Sequence, residues 1–125
     1  MLYKFLAAFI GGGIGSLLRF LMSEFSKKIF LSSIFGTFTV NIIGCFVIGY
    51  LFGLALNKTD LISHTTRIFL TVGLLGGLTT FSSLNFEVFE LIKSGKIFLG
   101  LGYMIVSCMV GLLATFLGYL TYSKI

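Results

Sequence analysis

The chain has 125 residues, 57% of them hydrophobic and only 10% charged, with a mean hydropathy of +1.09 and a formal net charge of +5. So little charge cannot clothe a water-exposed surface, which excludes an ordinary soluble domain and with it a soluble enzyme. The nine cations are scattered through short segments rather than gathered on one face, so their partners are lipid headgroups and not nucleic acid.

Four apolar stretches are long enough to cross a bilayer, which takes about 20 helical residues. They run continuously instead of alternating with polar residues, which selects helices over barrel strands. The first covers residues 2–22, with Lys4 near its start and Arg19 near its end. A lysine ahead of an apolar run resembles a secretory leader, but no A-x-A-like site follows, and the stretch is read as a mature span. Gly11 and Gly15 in GGGIG lie one helical turn apart, a spacing that lets backbones approach in lipid, within the chain or between copies. A phosphate loop is excluded, because GGGIGS lacks the G-x-G-x-x-G spacing and sits inside an apolar helix. Arg19 has two readings: its guanidinium snorkels to the interface, or it charges a vestibule and concentrates anions there.

In the second span, residues 33–56, Thr37 and Asn41 project from one face, and Gly49 and Gly53 repeat the small-residue spacing. The third span, residues 66–92, contains the odd stretch GLLGGLTTFSSLNFE from Gly73 to Glu87. Gly76 and Gly77 weaken the helix there, and the hydroxyls of Thr79, Thr80, Ser82 and Ser83 can satisfy backbone groups that a break would free. A break at mid-membrane predicts a central site, with freed carbonyls facing a cation and amides or hydroxyls facing an anion. The alternative is an unbroken helix with back-bonded hydroxyls. Glu87 reads either as an interfacial carboxylate or as an acceptor for the hydroxyls of the break. In the fourth span, residues 97–122, Tyr103, Ser107, Gly111 and Thr115 repeat every four residues as a hydrogen-bonding stripe, although Ser107 or Thr115 alone could bond back to its own helix. Both stripes are rich in donors and hold no acid. Cys45 and Cys108 fall at mid-membrane positions and read as small packing residues, with no metal or disulfide pattern.

With four spans, Lys4, Lys58, Arg67 and Lys124 lie on one side of the membrane and Arg19, Lys27, Lys28, Lys93 and Lys96 on the other, four cations against five. The positive-inside rule needs a clear excess, so either orientation inserts about equally well. That balance arises by chance or marks dual topology, in which copies insert both ways and pair antiparallel. Four helices leave little room for an internal pathway, and a second copy would supply its missing walls.

The motifs GGGIGSLLRF, GTFTVNIIG and GLLGGLTTFSS followed by EVF together resemble the Fluc (CrcB) family of small fluoride channels over nearly the whole chain. The resemblance implies an all-α membrane protein of the bacterial cell membrane, four helices with the third broken, assembled as a dual-topology antiparallel dimer with two fluoride pores. It implies a structural Na+ on the two-fold axis, held by the carbonyls of Gly76 and Thr79. It makes Phe81 the pore phenylalanine whose ring edge faces fluoride, Asn41 the amide beside the pathway, and Arg19 the vestibule arginine. Ser107 and Thr115 then belong to a polar track on the fourth helix. Thr37, Ser82, Ser83 and Tyr103 are further candidate donors to the ion. Two departures stand out: TTFSSL puts Leu84 where the family has a second phenylalanine, and Gly111 interrupts the polar track. The partner is therefore a second copy or a paired homologous subunit.

Fluoride is small and tightly hydrated, so a pore must replace its water with amide and hydroxyl donors and weakly positive ring edges. Neutral donors bind the ion and release it, whereas a fixed cation in the pore would trap it. The rival reading is a small proton-coupled multidrug antiporter, which needs a carboxylate deep in a span; Glu87 is the only semi-buried candidate. A non-transporting assembly subunit would account for the glycines but not for the polar stripe.

Overall fold

The computed structural model describes residues 1–57 and 61–123. Lys58 and Lys124 of the charge count lie outside the described residues. Four stretches are long and apolar enough to span a membrane, Leu2–Phe30, Ile34–Asn57, His64–Lys93 and Ile97–Tyr122, so the chain is an all-α, multi-pass membrane protein.

Helix α1 (Leu2–Phe30) continues well past residue 22, where the apolar stretch ends. At 1.5 Å per residue it is about 43 Å long against a hydrocarbon core of about 30 Å, so its last turns stand in the headgroup layer, where Glu24, Lys27 and Lys28 are affordable. It stops at Leu31, which is left-handed (φ 56°, ψ 23°) and donates its N–H to the Lys27 carbonyl at 3.0 Å. Helix α2 (Ile34–Asn57) follows after a short link.

The third span is not one helix. A first turn, His64–Ile68, widens into a π-helical stretch, Phe69–Leu75, and closes with one α-turn, Gly76–Leu78; together these residues, 64–78, are α3. Thr79 (φ −82°, ψ 152°) and Thr80 (φ −152°, ψ 119°) are extended. Helix α4 (Phe81–Lys93) resumes the span, and α5 (Ile97–Ser123) completes the fold after a turn in which Gly95 takes a φ of 84°. The π-helical stretch has no counterpart in the sequence reading.

α1 packs on α3, and α2 packs along α5. Glycine makes both contacts possible. A Cβ at Gly11 would meet the Phe69 carbonyl, one at Gly15 the Leu74 carbonyl, and one at Gly77 the Gly12 carbonyl. Likewise Gly49 lies against the Thr115 carbonyl and Gly118 against that of Phe46. The small-residue pairs of the sequence thus serve packing within the chain. Val40 is the most deeply buried large side chain, while most phenylalanines and leucines face outward, as a lipid-solvated bundle requires.

Candidate ion pathway at the broken third span

At the break, several freed backbone groups find identifiable partners. Thr79 donates both its N–H (2.9 Å) and its hydroxyl (2.8 Å) to the Leu75 carbonyl, closing α3. The Thr80 hydroxyl accepts the Ser83 N–H at 3.1 Å, so Thr80 is the N-cap of α4. Asn41 of α2 then holds the Thr80 peptide from both sides: its Oδ1 accepts the Thr80 N–H at 2.7 Å and its Nδ2 donates to the Thr80 carbonyl at 3.1 Å. Arg19 reaches inward from α1, its Nε donating to the Gly77 carbonyl at 3.0 Å. The bond anchors the guanidinium at the break. It caps the negative end of α3. Among the described residues no hydrogen bond ends on the carbonyls of Gly76 or Thr79.

A second cluster forms about two turns beyond the break. Glu87 is buried at 5% exposure, and its Oε1 accepts hydroxyls from Ser33 (2.6 Å) and Thr37 (2.7 Å) while its Oε2 accepts from Tyr103 (2.8 Å). Its donors come from the link before α2 (Ser33), from α2 (Thr37) and from α5 (Tyr103), not from the hydroxyls of the break, so the second sequence reading of Glu87 does not hold. The donor-rich faces of Thr37 and Tyr103, which hold no acid themselves, converge on one supplied by α4. The carboxylate also sits beside the first turn of α2, where the positive end of that helix favours a negative charge.

Two cavities flank these clusters. One, of about 380 Å³, is lined by Asn41, Thr79, Thr80, Phe81, Leu84 and Ser107 among others. Ser107 is buried, and its hydroxyl has no partner among the described residues. Phe81 is 72% exposed, whereas Leu84, where the resemblance implies a second phenylalanine, is buried. The other cavity, about 800 Å³, is a polar vestibule between α1, the start of α2 and α4, lined by Arg19, Ser23, Ser33, Thr37, Ser82 and Glu87 among others.

The candidate residues separate accordingly. Asn41, Phe81, Thr79, Gly76 and Ser107 gather at the first cavity. Arg19, Thr37, Ser82 and Ser83 gather at the vestibule. Tyr103 is committed to Glu87, and the Thr115 hydroxyl bonds back to the Gly111 carbonyl at 3.1 Å on its own helix. Gly111 faces Cys45, so the gap in the stripe is filled by a thiol. Ser33 was missed by the sequence reading; its only signal was that it lies four residues before Thr37, on the same face.

These features define a class: a small helical membrane protein whose broken third span is held by side chains of the neighbouring helices, Asn41 and Arg19, beside two cavities. Residues 6–119 match the family described as CrcB-like protein, Camphor Resistance (CrcB), and the chain belongs to that family. It is 41% identical over 115 residues to the fluoride-specific ion channel FluC of Aquifex aeolicus, covering 91% of this chain and 92% of that one. It is 40% identical over 121 residues to the protein of the same name from Azobacteroides pseudotrichonymphae, covering 96% of each. The FluC of Pseudomonas putida is 44% identical over 115 residues, 90% of this chain and 92% of its own length.

Proposed function

We propose that this chain forms a passive fluoride channel that lets the membrane potential drive fluoride out of the cytoplasm. The observation that carries the reading is the extended Thr79–Thr80 segment inside a membrane span, fixed by the Asn41 amide and bordered by Phe81 and the unpartnered Ser107 hydroxyl. Such a site offers neutral donors and a ring edge where a dehydrated anion needs them, with no cation in the cavity wall to hold it. The relatives, named as fluoride-specific ion channels, support the same substrate.

The working unit is an antiparallel, dual-topology dimer with two pores, of two copies or of this chain with a paired homologous subunit. Support comes from the protomer surface: Gly76, Phe81 and Ser82 are exposed at membrane depth beside a break, where irregular backbone is tolerated only against protein or water. The carbonyls of Gly76 and Thr79 suit a hard cation such as Na+, being neutral oxygen donors at the negative end of α3. When bound, Na+ would neutralise that end and pin the two breaks together. Fluoride enters through the vestibule, drawn by the Arg19 guanidinium, and passes Phe81, Asn41 and Ser107. An antiporter would use Glu87 as its exchanging carboxylate, but the relatives described above are named as fluoride channels.

The test is efflux from liposomes containing this chain alone, followed with a fluoride electrode. Fluoride release without a proton gradient is expected. Release only with an added homologous subunit selects the mixed dimer, and no release with either refutes the channel.

A further inference from the structure

The first amides of helix α2 lack intrahelical acceptors. One is met locally, the Ile34 N–H by the Ser32 hydroxyl at 3.2 Å. The next is met from another helix: the Gly36 N–H donates to the hydroxyl of Ser26 on α1 at 3.0 Å, and that hydroxyl donates in turn to the Ser32 carbonyl at 2.6 Å. Ser26 is buried at 4% exposure and is the one polar residue among the buried positions of α1. The fit is close, since a Cβ on Gly36 would stand 2.7 Å from the Met22 carbonyl.

The turn that Ser26 fixes carries Ser33 and Thr37, both donors to Glu87 Oε1 and both lining the vestibule. We propose that Ser26 is a positioning residue of the pathway: through the Ser32 carbonyl and the Gly36 amide it sets the first turn of α2 so that both hydroxyls reach Glu87. Without it the buried Gly36 N–H loses its acceptor, the turn frays, and the carboxylate loses donors at the inner end of the vestibule. The proposal rests on the channel reading for its functional consequence, but the positioning itself does not depend on the ion transported.

The experiment compares Ser26→Ala, Ser26→Cys and Ser26→Thr in the full chain. It measures liposome fluoride efflux, dimer elution, and the infrared carboxylate band assigned by difference against Glu87→Gln. Ser26→Ala is expected to slow efflux about tenfold with elution unchanged and to shift the band, because a buried donor is left unpaired. Ser26→Thr, which keeps the hydroxyl, should restore both readouts, and Ser26→Cys should fall between. In a Ser33→Ala background, Ser26→Ala should add less than about a twofold further loss, since both act on one cluster. A wild-type band and rate in Ser26→Ala, or a threonine variant as impaired as alanine, overturns the proposal. If Ser26→Ala does not assemble, the cysteine variant decides in the same way. If the wild-type chain conducts no fluoride, the channel reading fails while the band still decides the role of Ser26.

Discussion

Removing the Asn41 side chain at the Cβ strips both hydrogen bonds from the Thr80 peptide, the 2.7 Å bond to its N–H and the 3.1 Å bond from the amide to its carbonyl. Thr80 is buried, so each orphaned group costs about 1–3 kcal/mol, and Asn41→Ala should ease local opening of the break by about 2–6 kcal/mol. Amide exchange at Thr80 should then accelerate by about 30-fold to about 10⁴-fold, while exchange in α1 is unaffected. Asn41→Asp keeps an acceptor for the Thr80 N–H but sets a second oxygen against the Thr80 carbonyl, so its exchange should lie between wild type and alanine. The order reverses for transport. A fixed negative charge beside the cavity repels fluoride by about 3 kcal/mol at roughly 6 Å and an effective dielectric of about 20, which should slow flux about 100-fold or more. The assay pairs hydrogen exchange by mass spectrometry over residues 79–83 with electrode-detected efflux. Unchanged exchange in Asn41→Ala would refute the amide clamp, and an aspartate variant that conducts normally would remove this residue from the ion's route.

Phe81→Ile removes the ring edge from an exposed side chain that does little to stabilise the fold; fluoride flux should fall to near background with the elution volume unchanged, as checked by efflux and size-exclusion chromatography. Glu87→Gln keeps an acceptor for Ser33 and Thr37 and should cost about 1–2 kcal/mol, whereas Glu87→Leu leaves three hydroxyls without their acceptor and should cost about 3 kcal/mol or more; thermal unfolding in detergent compares them. Gly15→Ala drives a Cβ into the Leu74 carbonyl and should destabilise the protein by about 3 kcal/mol, while Gly13→Ala, with nothing within 4 Å, should be neutral or gain up to about 1 kcal/mol in helix propensity. Equal melting temperatures for those two variants would contradict the α1–α3 contact. Leu31→Gly should raise stability by about 1 kcal/mol, since Leu31 is exposed and holds a positive φ that glycine adopts freely.

Much of the architecture was legible because lipid leaves a protein few choices. Continuous apolar runs had to be helices, and the run of Gly76, Gly77 and four hydroxyls marked the break, since those residue types both weaken a helix and supply partners for what the weakening frees. The end of α1 was less legible. Hydropathy stops near Met22, but a helix in the headgroup layer needs no apolar surface, and only the left-handed turn at Leu31 ends it. The π-helical stretch Phe69–Leu75 was not legible, because a single threonine and a single glycine among apolar residues do not distinguish it from an α-helical span.

What the sequence determined by itself was the membrane, the four spans, the place of the break and the family, all of which follow from composition, periodicity and local motifs. What only the tertiary structure decided was who bonds to whom. Asn41 and Thr80 are 39 residues apart, Thr37 and Glu87 are 50, and Arg19 and Gly77 are 58. In hydrocarbon each of these polar groups had to find a partner, so the sequence could say that partners exist; the partner chosen depends on the glycine contacts that set how close, and at what height, one helix lies against the next.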